Sequence, residues 1–97
     1  MGRETDTDSQ LVAACRRGDM AAFGVIVERY QRAVCAVAYA SVRDRVLSED
    51  IAQDTFVMAW SKLPSLRDSE RLPAWLCGIA AQRRAGRQSQ EPARNAL

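Results

Sequence analysis

SEDIAQDTFVMAW, residues Ser48–Trp60, is the stretch on which the reading of this chain turns. Ala52, Phe56, Ala59, Trp60 and, just beyond, Leu63 recur at helical spacing and make one apolar stripe. Asp50, Gln53, Asp54 and Val57 recur at the same spacing on another face, which carries carboxylates and an amide. Ser48 is placed to cap such a helix, and Glu49 and Asp50 would fall in its first turn, where the helix dipole favours negative charge. The stretch therefore predicts a helix with a side for burial and an acidic side suited to a basic partner. On periodicity alone, a solvated surface helix is the simpler reading. The residue identities, and the company they keep along the chain, take it further.

Upstream, Asp8 or Ser9 is placed to cap a short helix running to about Arg17, with Leu11, Val12 and Cys15 on its inner side. Gly18 suits the left-handed conformation that ends a helix, and Asp19 caps the next one at once. That second helix is expected from Met20 to about Ser41, with Phe23, Ile26, Val27, Tyr30, Val34, Val37 and Ala38 on one stripe. Residues 42–47 read as a connection and Ser48–Leu63 as the third helix, ended by Pro64. Downstream, 65–72 (SLRDSERL) reads as a loop, and Pro73 fits the first turn of a fourth helix, where its missing N–H costs nothing. Leu72, Trp75, Leu76, Ile79 and Ala80 give that helix its apolar face, and Arg83, Arg84 and Arg87 cluster at its end. The expected core is Phe23, Tyr30, Val34, Phe56, Trp60, Trp75, Leu76 and Ile79.

Composition agrees with an all-α chain folded as a small bundle of about four helices. Of 97 residues, 16 are Ala, the best helix former, and no alternating β-branched run appears. A hydrophobic fraction of 47% excludes a disordered tail, and the length suits one small domain. Residues 1–7 read as a flexible N-terminus, 8–87 as the domain and 88–97 as a linker or disordered tail. The net charge of +2 hides an asymmetry: residues 44–54 hold four acids against one Arg, whereas 72–90 hold three Arg and no acid. An acidic middle and a basic fourth helix suggest two kinds of partner. Cys15, Cys35 and Cys77 form no CxxC pair and the chain has no His, which disfavours a zinc site, a Cys–His nucleophile and a disulfide framework. Buried free thiols in a reducing cytosol are expected instead. No metal, cofactor or catalytic residue is expected. No apolar run suggests membrane insertion, and the polar first ten residues do not form a signal peptide.

Several blocks together resemble the extracytoplasmic-function (ECF) group of bacterial RNA polymerase sigma factors. Gly18, Asp19, Ala22 and Phe23 look like that family's GD-x-x-AF opening, followed by Tyr30. Glu49, Asp50, Gln53, Asp54, Thr55 and Phe56 are similar to its ED-x-x-QDTF block, with Trp60 and Leu63 after it, and Trp75, Leu76, Ile79 and Ala80 match its WL-x-x-IA block. Each piece is weak alone; the ordered set is specific. The resemblance runs from about Asp8 to Arg87 and covers region 2, one of the family's two structured domains. Two positions depart from the pattern: Gln82 stands where the family usually has Asn, and Gly86 where it often has Asp. The family's second domain, a helix-turn-helix, is absent from these 97 residues.

The resemblance implies a cytoplasmic, non-enzymatic role in transcription initiation. Asp50, Gln53, Asp54 and Val57 would dock on the coiled coil of the β′ subunit of core RNA polymerase, where carboxylate–Arg pairs give charge-assisted bonds. Ser65, Arg67, Asp68, Ser69 and Arg71 of the loop, with Gln82, would meet the non-template strand of the −10 promoter element, holding an unstacked base. Arg83, Arg84 and Arg87 would hold phosphate, which positions without specifying sequence. An anti-sigma factor is the expected regulator. The competing reading, motivated by Gln82 and Gly86, is a sigma-like interaction module that binds polymerase or an anti-sigma regulator without reading DNA. An enzyme ranks far below, for want of any nucleophile motif or phosphate-cradling loop.

Overall fold

Each of the first three α-helices begins at a residue whose side chain accepts one of its free N–H groups. The computed structural model describes the backbone of residues 5–90 and the side chains of residues 5–83. Helix α1 spans Asp8–Arg16 and is capped by Thr7, not by Asp8 or Ser9. Gln10 explains the shift: its backbone N–H donates to Thr7 Oγ1 at 3.1 Å while its side chain accepts from the Thr7 N–H at 2.8 Å, a reciprocal box that needs an amide or acid three residues after the cap. Gly18, at φ +90°, ends the turn with its N–H on the Cys15 carbonyl, and the Asp19 N–H reaches back to Ala14. Asp19 caps α2, Met20–Val42, as expected, accepting the Ala22 N–H at 3.2 Å.

The start of α3 differs from the sequence expectation. The helix spans Arg45–Lys62 and its cap is Asp44, whose carboxylate accepts the Leu47 N–H at 3.0 Å. Ser48 is instead buried one turn inside, donating its hydroxyl to the Arg45 carbonyl at 2.8 Å. Arg43 closes α2 in the left-handed region, so only Arg43 and Asp44 separate α2 from α3. A link this short turns the chain back on itself, and the start of α2 (Met20) shares a groove with the end of α3 (Trp60). Leu63–Ser65 and Ser69–Arg71 form two 3₁₀ turns, the first taking up the expected end of the third helix and the second lying within the 65–72 segment read as a loop, and α4 spans Leu72–Gln90, continuing past Arg87. Residues 91–97, part of the expected tail, lie outside the described residues.

The core lies where α2, α3 and α4 meet, with α1 laid along α2. Leu11 and Val12 enter from α1, Ile26 and Val34 from α2, Ala52 and Phe56 from α3, and Leu72 and Leu76 from α4. Phe23 sits between two aromatic rings of α3, edge-on to Phe56 at 6.5 Å and to Trp60 at 5.1 Å. Of the expected core, Tyr30, Trp60 and Trp75 are only partly buried and pack against the cluster from outside. Their volume is supplied by smaller residues: Ile51, Thr55, Leu63 and Leu66 are all buried. Thr55 is tolerated there because its hydroxyl donates to the Ile51 carbonyl at 2.7 Å. Cys15 is buried, Cys35 and Cys77 are half-buried, and all three are free thiols.

Candidate functional site

The antiparallel pair α2–α3 leaves a groove of about 700 Å³ along its outer side. Phe23, Ala52 and Phe56 make its apolar floor; Met20, Val27 and Gln31 form the α2 wall; Glu49, Asp50, Gln53 and Val57 form the α3 wall. Met20 and Val57 are 62% and 70% exposed, which is high for apolar side chains and places two uncovered apolar knobs on opposite walls. Asp50 and Gln53 are exposed beside them. Cys35 lies in the same groove, and burial, followed by the nearby Glu49 carboxylate, pushes its thiol pKa up.

Asp50, Gln53 and Val57 thus stand together, as their spacing requires. Asp54 does not join them. It is half-buried and faces a shallow cleft between α3 and α4 shared with Met58, Ser61 and Arg83. Val57 borders both depressions. The contribution of Met20, Val27 and Gln31 was not foreseen from the sequence. They recur on α2 at spacings of seven and four, yet nothing in that pattern says which face of α2 pairs with α3.

On the far side of α3, the chain between α3 and α4 is fastened at both ends. Leu66 and Leu72 are buried, and the residues between them are exposed except for half-buried Ser69. Asp68 accepts the Glu70 N–H at 3.0 Å, its carbonyl accepts the Arg71 N–H at 2.9 Å, and its carboxylate lies 3.9 Å from the Arg71 guanidinium. Asp68 therefore builds the turn that presents Arg67 and Arg71. Ser65 spends its hydroxyl locally, donating to the Lys62 carbonyl at 2.7 Å. On α4, Gln82 is exposed, whereas Arg83 is half-buried with its Nε enclosed and unpartnered among the described residues. Arg84, Gly86 and Arg87 lie on the α4 backbone, and the side chains of the two arginines lie outside the described residues.

Among the described residues no group of acids and cysteines is arranged to hold a metal ion, and no helix is long and apolar enough to cross a membrane. The surfaces that stand out are an apolar groove with an acidic wall and an exposed polar turn, the equipment of a helical binding module. Residues 26–87 match the sigma-70 region 2 family, and the chain belongs to it. It is 33% identical over 75 residues to the RNA polymerase sigma-H factor of Pseudomonas aeruginosa, covering 77% of this chain and 39% of that protein. It is 34% identical over 76 residues to the ECF RNA polymerase sigma-E factor of Haemophilus influenzae, covering 76% of this chain and 39% of the relative. The sigma-E factor of Escherichia coli is 34% identical over 74 residues, covering 76% and 38%. The chain thus spans about two fifths of the length of these curated relatives. No solved structure matches it.

Proposed function

We propose that the chain serves transcription initiation as a sigma factor domain that docks on core RNA polymerase and recognises and helps melt the −10 promoter element. The observation that carries this reading is the α2–α3 groove, where exposed Val57 and Met20 flank exposed Asp50 and Gln53 above an apolar floor. That combination suits a helical partner with an apolar ridge and an Arg or Lys beside it, such as a helix of the β′ coiled coil. The names of the relatives support the same assignment.

The 65–72 segment and α4 are the DNA side. Arg67 and Arg71 are exposed on a turn whose ends are buried, so the backbone that carries them is held before a single strand arrives. An unstacked base of the non-template strand would be held there, binding energy offsetting an unstacking cost of a few kcal/mol, roughly. No covalent step is involved. The test is direct: the chain is titrated with core polymerase, then the complex with single-stranded oligonucleotides carrying varied −10 sequences. Core binding together with sequence preference supports the proposal; failure to bind core overturns it.

A second reading keeps polymerase or anti-sigma binding without DNA reading. It is favoured by Asp68, whose carboxylate is engaged in its own turn, and by Gln82 and Gly86. Core binding without any preference among oligonucleotides would establish it.

A further inference from the structure

The last turn of α1 makes a long-range polar contact that the docking and DNA roles do not use. The Arg16 guanidinium, in its last turn, donates through Nη2 to the backbone carbonyl of Leu66, fifty residues away. An arginine at a helix end ordinarily points to water and favours the dipole. This one, though exposed, also bonds the chain at the residue before the exposed Arg67 and Asp68. Leu66 is fastened in two further ways: its side chain is buried and its N–H donates to the Leu63 carbonyl at 3.0 Å. Arg16 itself projects from a fixed base. Leu11, Val12 and Cys15 bury one side of α1, and at its other end Asp8 accepts from Tyr30 Oη and pairs with Arg29 at 3.0 Å.

We infer that Arg16 is a positioning residue for the recognition turn: α1 is a strut clamped to α2 by Asp8, and Arg16 holds the Leu66 carbonyl so that residues 67–71 are presented in one conformation. The inference rests on the proposed reading of −10 DNA by this segment. It makes α1, none of whose residues lines the α2–α3 groove, a determinant of sequence preference and not of polymerase affinity.

The test compares the wild-type chain with Arg16→Ala and Arg16→Lys, each bound to core polymerase at a temperature where all are folded. The probe is a pool of single-stranded oligonucleotides randomised across the −10 positions, alongside amide hydrogen exchange of the chain. Arg16→Ala is expected to leave core affinity unchanged, to speed exchange at residues 67–71, and to reduce the ratio of preferred to disfavoured sequences about tenfold. Arg16→Lys, which keeps a cationic donor, is expected to restore part of that ratio; a merely structural loss would weaken all oligonucleotides alike and would not be rescued. A wild-type complex with preference that Arg16→Ala keeps intact overturns the role of Arg16 alone. A wild-type complex with no preference overturns the promoter reading and this inference with it.

Discussion

Phe23 of α2 meets Trp60 of α3 edge-on, with ring centroids 5.1 Å apart and planes at 68°. The contact joins the first turn of one helix to the last turns of the next, so it closes the end of the antiparallel pair opposite the Arg43–Asp44 link. It also makes the floor of the α2–α3 groove part of the core. Phe23 and Phe56 are buried while still lining that groove. Phe23→Ala or Phe56→Ala is therefore expected to cost about 3–5 kcal/mol of stability. Trp75→Ala, at a half-buried position, should cost less than either. Urea unfolding followed by circular dichroism checks the order.

The Asp8–Tyr30 contact predicts a pH dependence. Burial first, then the hydrogen bond to Asp8 and its negative charge, push the Tyr30 phenol up from 10.0 to about 12. The folded chain thus keeps a proton that the unfolded chain releases above about 10. The stabilisation is fully present below that pH and is lost as pH rises toward about 12. Tyr30→Phe should be less stable at neutral pH and should lose part of the alkaline decline. Denaturant melts across that range, with tyrosinate absorbance read in parallel, measure both.

The proposed docking face can be changed without touching the core. Val57 is 70% exposed and Gln53 is exposed beside it. Val57→Glu and Gln53→Ala are each expected to move stability by no more than about 0.5 kcal/mol. The same variants should weaken core polymerase binding, Val57→Glu by about tenfold or more, as for a central interface residue. Asp54→Arg is a poorer probe than its place in the motif suggests, because Asp54 is half-buried against the α4 side near Arg83. Unchanged affinity in Val57→Glu would remove the groove from the interface.

The four helices were legible in the sequence because their signals are local. Asp19 follows Gly18, Pro64 follows Leu63, and the apolar stripes repeat within a single helix. Misread features were those where two local signals compete. Ser48 and Asp44 both suit a cap, and the structure uses Asp44 because Arg43 already closes α2. Thr7 displaced Asp8 because only Thr7 has Gln10 three residues on, which left Asp8 for Tyr30 and Arg29. The apolar stripes place five aromatic residues in the core, and Phe23 and Phe56 are buried there, yet Trp75 and Trp60 are too large to be covered by a domain this small, and Ile51 and Leu66 fill the interior instead. The α2 wall of the groove and the Arg16–Leu66 bond depend on pairing between helices, which periodicity within one helix does not encode.

Exposure separates the two kinds of arginine on the proposed DNA side. Arg67 is exposed on the recognition turn, free to neutralise a phosphate, whereas Arg83 is half-buried with its Nε enclosed between α3 and α4. A cation that releases a bound counterion from single-stranded DNA contributes about 0.7 to the slope of log affinity against log salt. Arg67→Ala should therefore flatten the salt dependence of oligonucleotide binding by about that amount. If Arg67 instead bonds a base edge, the loss falls at one sequence position and the slope barely moves. Arg83→Ala should change the slope less than Arg67→Ala and lower stability more, since Arg83 is half-buried in the cleft between α3 and α4. Titrations of the polymerase-bound chain at several salt concentrations, paired with melts of the free chain, measure both quantities. An Arg83→Ala variant with a full phosphate-type loss of slope and unchanged stability would return Arg83 to the role its sequence position first suggested.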